Sequence, residues 1–233
     1  MPLRQALAFV LRTYPLKESD KIVSFFTREY GKRRGVARGA RRPKSKFGST
    51  LEPLSEVRVQ YFEREGKDLC NIDRCDLQQS MVAASGSDLL HSMAVSLMVE
   101  VADRMLPEHE VSDPVYRLLG AVLAGLRASP GEAAWLPVTY YLYWMVRLGG
   151  FLPNIAEADL SPNAQQLAQA IGSNPLNGLA PHVPAAEGVS GRRLRLLLIA
   201  ALEDHLESRL RSWPMLAELE PAPAETRNQK LET

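Results

Sequence analysis

The spacing of apolar residues changes once along this chain, near position 80, and that switch restricts the possible fold more than any other feature. Before it, Val57, Val59 and Tyr61 alternate with Glu56, Arg58 and Gln60. A period of two puts one face in a core and the other in water, the mark of a strand. Ala6 to Thr13 and Ile22 to Thr27 are short runs carrying Phe9, Val10, Ile22, Val23, Phe25 and Phe26, residue types that suit a pleated, half-buried surface. Tyr30-Gly31-Lys32 reads as a tight connection, and Gly66 as a turn before a further run from Leu69 to Leu77. Short strands at this spacing predict a small closed barrel. An OB-fold is one candidate, and the pattern by itself does not separate it from an SH3-like barrel.

Beyond the switch the period becomes three and four. Leu90, Met93, Ala94, Leu97, Met98, Val101 and Met105 form one stripe, with Ser87 as the expected N-cap and Asp88 in the first turn. Further helices are predicted over 114–128, 134–148 and 164–171. The third helix, with Trp135, Tyr140, Tyr141, Tyr143 and Trp144, is apolar nearly all round and belongs at the centre of a bundle rather than on a base-stacking surface. A long last helix is expected from Ser190 to Trp213, closed by Pro214. The expected division is therefore a barrel over 1–80, an all-helical domain over 81–219, and a disordered Pro- and Glu-containing tail over 220–233.

Charge adds a functional clue. From Arg28 to Lys46 the chain carries Arg28, Lys32, Arg33, Arg34, Arg38, Arg41, Arg42, Lys44 and Lys46 against a single acid, Glu29. Such density repels itself and suits an anionic partner; phosphate backbones are the commonest one, because each cation bound releases condensed counterions. The interspersed glycines and Pro43 put these charges on turns and short strands. Residues 1–80 hold 17 Lys+Arg and 10 Asp+Glu, a net of +7, which leaves 11 and 17, a net of −6, for the remainder. The overall +1 conceals a polar distribution of charge. All nine cations are predicted to meet nucleic-acid phosphates without reading sequence. Tyr61 and Phe47 are the aromatic candidates for stacking on a base, with barrel core the competing reading for Tyr61.

Several classes fall away. No run approaches the roughly 18 apolar residues a membrane helix needs, and no signal-peptide order is seen, so a cytoplasmic protein is expected. Two cysteines, Cys70 and Cys75, form no disulfide framework. Five apart on a strand, they are expected to point to opposite faces as small buried thiols. His91, His109, His182 and His205 form no metal-ligand pair, and no G-x-x-x-x-G-K-[ST] loop cradles a nucleotide. Glu18 and Asp20 read as surface acids of a turn. The prediction is a protein that is not an enzyme and needs no cofactor.

The order of motifs resembles a known family. Ala8-Phe9-Val10-Leu11-Arg12-Thr13-Tyr14-Pro15-Leu16-Lys17-Glu18-Ser19-Asp20-Lys21-Ile22-Val23, then Phe26-Thr27-Arg28-Glu29-Tyr30-Gly31-Lys32 and Gly35-Val36-Ala37-Arg38-Gly39-Ala40-Arg41, are similar to the opening of RecO, the bacterial recombination mediators. Leu51-Glu52-Pro53-Leu54 and Leu148-Gly149-Gly150-Phe151-Leu152-Pro153-Asn154 extend the likeness over about Ala6 to Leu216. The resemblance implies an N-terminal OB-fold joined to a helical domain, together with binding of single- and double-stranded DNA, annealing of complementary strands, and help in loading RecA with RecR. It also implies contact with the acidic C-terminal tail of single-stranded DNA-binding protein, for which Arg104, Arg117 and Arg127 are weak candidate cations. The expected place of action is the nucleoid. Many members carry paired C-x-x-C elements for zinc after the Pro153-Asn154 position; this chain has no cysteine beyond Cys75, and 155–190 offers only His182. A barrel that binds RNA in translation or RNA maturation is the competing reading, since the basic run alone does not tell DNA from RNA.

Overall fold

The computed structural model describes residues 2–63, 66, 68–80, 88–183 and 187–220, the side chains of 187–190 excepted. Ser87 and most of the tail lie outside the described residues. The chain divides by packing into two units: Met1–Asp88 with Met98–Arg117, and Leu89–Leu97 with Leu118–Thr233. A cut at residue 80 would assign residues 98–117 to the helical part, whereas they pack with the barrel.

In the first unit five strands, β1 (Leu3–Leu16), β2 (Asp20–Thr27), β3 (Gly31–Ala37), β4 (Glu56–Phe62) and β5 (Leu69–Gln79), close a barrel in the order β1-β2-β3-β5-β4. All pairings are antiparallel except β3 with β5. This is the strand order of an OB-fold. The interior holds Ala6, Ala8, Val10, Val23, Phe25, Ala37, Val57, Val59, Tyr61, Cys70, Ile72 and Cys75. The β3–β4 connection adds Phe47 and Leu51, the latter ending a short 3-10 turn over Gly48–Leu51. Gly35 is required on β3, because a Cβ there would lie 2.5 Å from Cys70 Sγ and 2.8 Å from Ile72.

Two bulges shape the barrel. On β1 the register slips between Val10 and Arg12, so Val10 faces the core opposite Phe25 while Arg12, opposite Ser24, points outward. On β5 the partner of Gln60 is Arg74 and that of Tyr61 is Ile72, leaving Asp73 as an extra residue. Both cysteines therefore point inward, against the alternation expected for a five-residue spacing. The extra residue resets the period of two, as bulges do. Burial pushes both thiols up to about 12.

Residues 98–117 cover the outward face of β1, β2 and β3. Phe9 and Phe26 meet the ring of Tyr116 with centroids 4.8 and 6.1 Å apart. Ser24 Oγ donates to Asp103 Oδ1 at 2.8 Å, and His109 N–H to the Lys32 carbonyl at 2.9 Å.

The second unit is helical. α1 (Leu89–Met105) and α2 (Asp113–Ala128) each contribute one part to it, followed by α3 (Trp135–Leu148), α4 (Pro162–Ser173), α5 (Glu187–His205) and α6 (Trp213–Ala217). α3 buries ten of its residues, from Trp135 to Val146, and all its aromatics but the half-buried Trp144 are core. α4 is capped by Ser161, whose hydroxyl accepts the Ala164 N–H, and buries Leu167 and Ile171. Arg195, 1 % exposed, donates to Glu220 at 2.7 Å and to Thr139 Oγ1 at 2.7 Å, with its guanidinium 4.5 Å from the Trp135 ring. The expected long last helix is two pieces. α5 stops at His205, Glu207 takes a left-handed φ of 51°, and the Glu203 carboxylate accepts the Leu210 N–H. Pro214 opens α6 rather than closing its predecessor, because proline suits the first turn of a helix. Leu202, Leu206 and Leu210 kept helical spacing through a turn, which is why the break was not visible in the pattern.

Candidate nucleic-acid interface

The basic run divides into cations engaged with the barrel and its covering segment, of which Arg28 and Arg34 are still exposed, and cations on the β3–β4 connection. β3 alternates, and its outward positions face the covering segment. Lys32 is 8 % exposed; its Nζ donates to the Asp103 carbonyl at 2.6 Å, and burial lowers its pKa despite the nearby Asp103 and Glu108. Arg34 pairs with Glu108 and Arg28 with Asp113 at 2.6 Å. Arg33 is half-buried and reaches Glu63 at 3.5 Å and the Lys32 carbonyl at 3.1 Å. Lys32, buried and bonded, is the clearest departure from a row of nine phosphate contacts.

The other five cations lie on the β3–β4 connection, and all are exposed. Arg38, Arg42 and Lys44 have no ion pair among the described residues. Arg41 lends one Nη1 to the Lys17 carbonyl at 2.8 Å, and Lys46 meets Asp73 at 3.2 Å. Both ends of the loop are fastened. At its start Gly39 N–H donates to Asp20 Oδ1 at 2.8 Å, and Arg41 N–H to the Ser19 carbonyl at 2.9 Å. At its end Phe47 is sunk into the barrel and Thr50 Oγ1 donates to its carbonyl. Between these anchors the N–H groups of Arg42 and Ser45 close successive turns on the carbonyls of Gly39 and Arg42. Charge is thus presented on a held loop rather than a free one.

Two residues join this site that the linear charge pattern did not include. Lys17, at the tip of the β1–β2 hairpin with φ 53°, is brought beside Arg41 by the loop-to-turn hydrogen bonds. Asp20 is no ordinary surface acid. The Gly39 N–H, and then the Ser19 hydroxyl, hold its carboxyl below the usual carboxylate range. Neither carries a sequence signal, because the contacts cross the hairpin.

The stacking candidates are corrected. Tyr61 is fully buried, its ring 5.5 Å from that of Phe25, and Phe47 is 1 % exposed. Both build the barrel interior, so neither ring is open to a base. Among the tail-binding candidates, Arg104 is occupied by Glu100 at 3.4 Å and Arg117 by Asp113 at 2.8 Å.

The donor set does not fit the zinc site that the family resemblance implies. Among the described residues no group of three His, Cys, Asp or Glu is placed to hold a metal ion. The only cysteines are inside the barrel as protonated thiols, whereas a zinc ligand is a thiolate. Where the paired cysteines would fall, the chain builds α4 on Leu167 and Ile171 instead. No described helix is long and apolar enough to cross a membrane.

Comparison with known proteins agrees with the architecture. The family described as recombination protein O N terminal matches residues 1–81, and recombination protein O C terminal matches residues 86–199. A DNA repair protein RecO from Koribacter versatilis (strain Ellin345) is 36% identical over 94% of this chain and all of its own length. One from Cutibacterium acnes is 34% identical over 67% of this chain and 65% of that protein. One from Anaeromyxobacter dehalogenans is 29% identical over 91% and 95%. A five-stranded barrel with a held basic loop, a helical second unit, and matches to both halves in order place this chain in the RecO family.

Proposed function

We propose that this protein is a DNA repair and recombination mediator that works without bond chemistry, by holding strands on the basic loop of its barrel. The observation that carries the reading is the set of exposed cations, Arg38, Arg42 and Lys44, which make no ion pair among the described residues, on a loop anchored at both ends. An anchored cation loses less freedom on meeting a phosphate than a free one does, so more of the interaction survives as affinity. With Arg41 and Lys17 beside them, about five cations are available. Neutralising phosphates on two strands lowers their mutual repulsion, and base pairing then supplies the driving energy for annealing. Family membership supports DNA as the polyanion, with RecR and the acidic tail of single-stranded DNA-binding protein as protein partners, RecA loading as the outcome, and the cytoplasmic nucleoid as the setting.

The test is annealing of a fluorophore-labelled strand with its quencher-labelled complement, bare or coated with single-stranded DNA-binding protein, without ATP or metal. Wild type is expected to accelerate annealing. Arg42→Glu/Lys44→Glu, which changes two charges that have no partner among the described residues, is expected to abolish the acceleration while leaving the melting temperature unchanged. For about five phosphates, log K against log salt falls with a slope near −3.5 on single strands. Binding that ignores salt, or an unaffected double variant, would remove the basic loop from the mechanism.

A further inference from the structure

We infer that Tyr14 is the platform on which a base of single-stranded nucleic acid stacks; the inference rests on the phosphate-binding reading of the adjacent loop. Stacking needs an open aromatic face next to the groups that hold the backbone. Tyr14, 43 % exposed, is the one exposed aromatic side chain among the described residues. Most other rings of the first unit are engaged, Phe9 and Phe26 with Tyr116, Phe25 with Tyr61, Phe47 in the core, and Tyr30 under the Arg4 guanidinium at 4.9 Å, while Phe62 at the end of β4 is half-buried.

Its position fits the role. Tyr14 is the register partner of Ile22, and Ile22 of Val36, so three side chains form one row across β1, β2 and β3. That row points outward, because the neighbouring positions Val23 and Gly35 take the interior, Val23 in the core and Gly35 against Cys70. Unlike Phe9 and Phe26 on the same face, Tyr14 is not covered by residues 98–117. Ile22 and Val36, both partly exposed, extend the apolar surface beside the ring. Lys17 lies just past the end of β1, in the turn three residues on from Tyr14, and Arg38 follows two residues after Val36. An apolar row bordered by cations suits a strand whose phosphates meet Lys17, Arg38 and Arg41 while a base turns onto the ring. In an OB-fold this is also the face that oligonucleotides use.

The consequence is selective for strandedness. Within a duplex both faces of every base are covered, so Tyr14 has nothing to stack on. Once complementary strands pair, the base leaves the ring, and the phosphate contacts alone hold the product. The same surface would then grip a single strand and loosen on the annealed one.

The experiment uses the full chain with a thymidine oligonucleotide and a hairpin duplex as probes, titrated by fluorescence anisotropy across a salt series. Tyr14→Ala is expected to weaken thymidine oligonucleotide binding by roughly 5- to 150-fold, the range for one stacked base, with duplex affinity and the salt slope unchanged. Tyr14→Trp should restore single-strand affinity and show emission quenching on adding the oligonucleotide that wild type lacks. Unchanged single-strand affinity in Tyr14→Ala, or equal losses on single strand and duplex, would overturn the assignment. A flat salt response in wild type would instead remove the phosphate surface beneath it, and the salt series reads that outcome separately from the Tyr14 comparison.

Discussion

Asp20 illustrates how a single side chain can act against its own charge. Beside Arg38 and Arg41 a carboxylate opposes phosphate binding, and Coulomb's law alone predicts that deleting it tightens binding. Yet its oxygen accepts the Gly39 N–H that starts the basic loop. If holding the loop matters more, Asp20→Ala weakens binding by roughly 2- to 10-fold, the equivalent of one net hydrogen bond. Asp20→Asn, which keeps an acceptor oxygen, then binds at least as well as wild type. Tighter binding by Asp20→Ala would show that charge outweighs the latch. The same carboxyl has a pH signature. Its folded pKa is depressed, so its contribution is present above the unfolded value of about 3.9 and is lost only as pH falls through the lower folded value. The Gly39 amide proton shift, followed by NMR, should therefore titrate with a midpoint below that of an ordinary aspartate. Lys32 is the converse case: a cation within the basic run that the fold spends on the Asp103 carbonyl.

At the scale of elements, the barrel is set by positions where the chain has no room to spare. β3 runs parallel to β5 with Gly35 opposite Cys70, and the interior is filled to contact there. Gly35→Ala is expected to destabilise the protein by about 1–3 kcal/mol through overpacking, measured by urea denaturation. Adding Cys70→Ala should recover part of that loss, because the sulfur is the nearest atom to the new methyl group; additive losses would place the strain elsewhere. The period of two identified the strands and the period of three and four identified the helices. What the periods did not contain were interruptions: the bulge at Asp73 that turns Cys75 inward, and the turn at Glu207 that ends α5. Both leave the apolar spacing intact on either side, so a periodic reading runs straight through them.

For the molecule as a whole, the division of charge depends on where the units are cut. Along the sequence the first 80 residues stand at +7, but the first packing unit also takes in Asp88, Glu100, Asp103, Glu108, Glu110 and Asp113 with Arg104 and Arg117. It then holds 19 Lys+Arg and 16 Asp+Glu, a net of +3, against 9 and 11, a net of −2, in the second. The covering segment neutralises one face and leaves the loop as the basic surface. In the second unit, α4 occupies the stretch where the family resemblance would put paired cysteines. We therefore expect the helical unit to fold without zinc: a strong chelator should leave the melting temperature unchanged, and purified protein should carry no stoichiometric zinc by elemental analysis. A lower melting temperature on chelation would refute this. Sequence alone marked the barrel and the helical second part through periodicity, the family through the order of its motifs, and a dense basic stretch as the candidate phosphate surface, because these are local properties of a chain. Only the tertiary structure decided which cations are left without an ion pair among the described residues, that Tyr61 and Phe47 are core while Tyr14 is open, and that Lys17 and Asp20 touch the basic loop. Those outcomes depend on which strand face is covered and on contacts across hairpins, and no linear spacing encodes them.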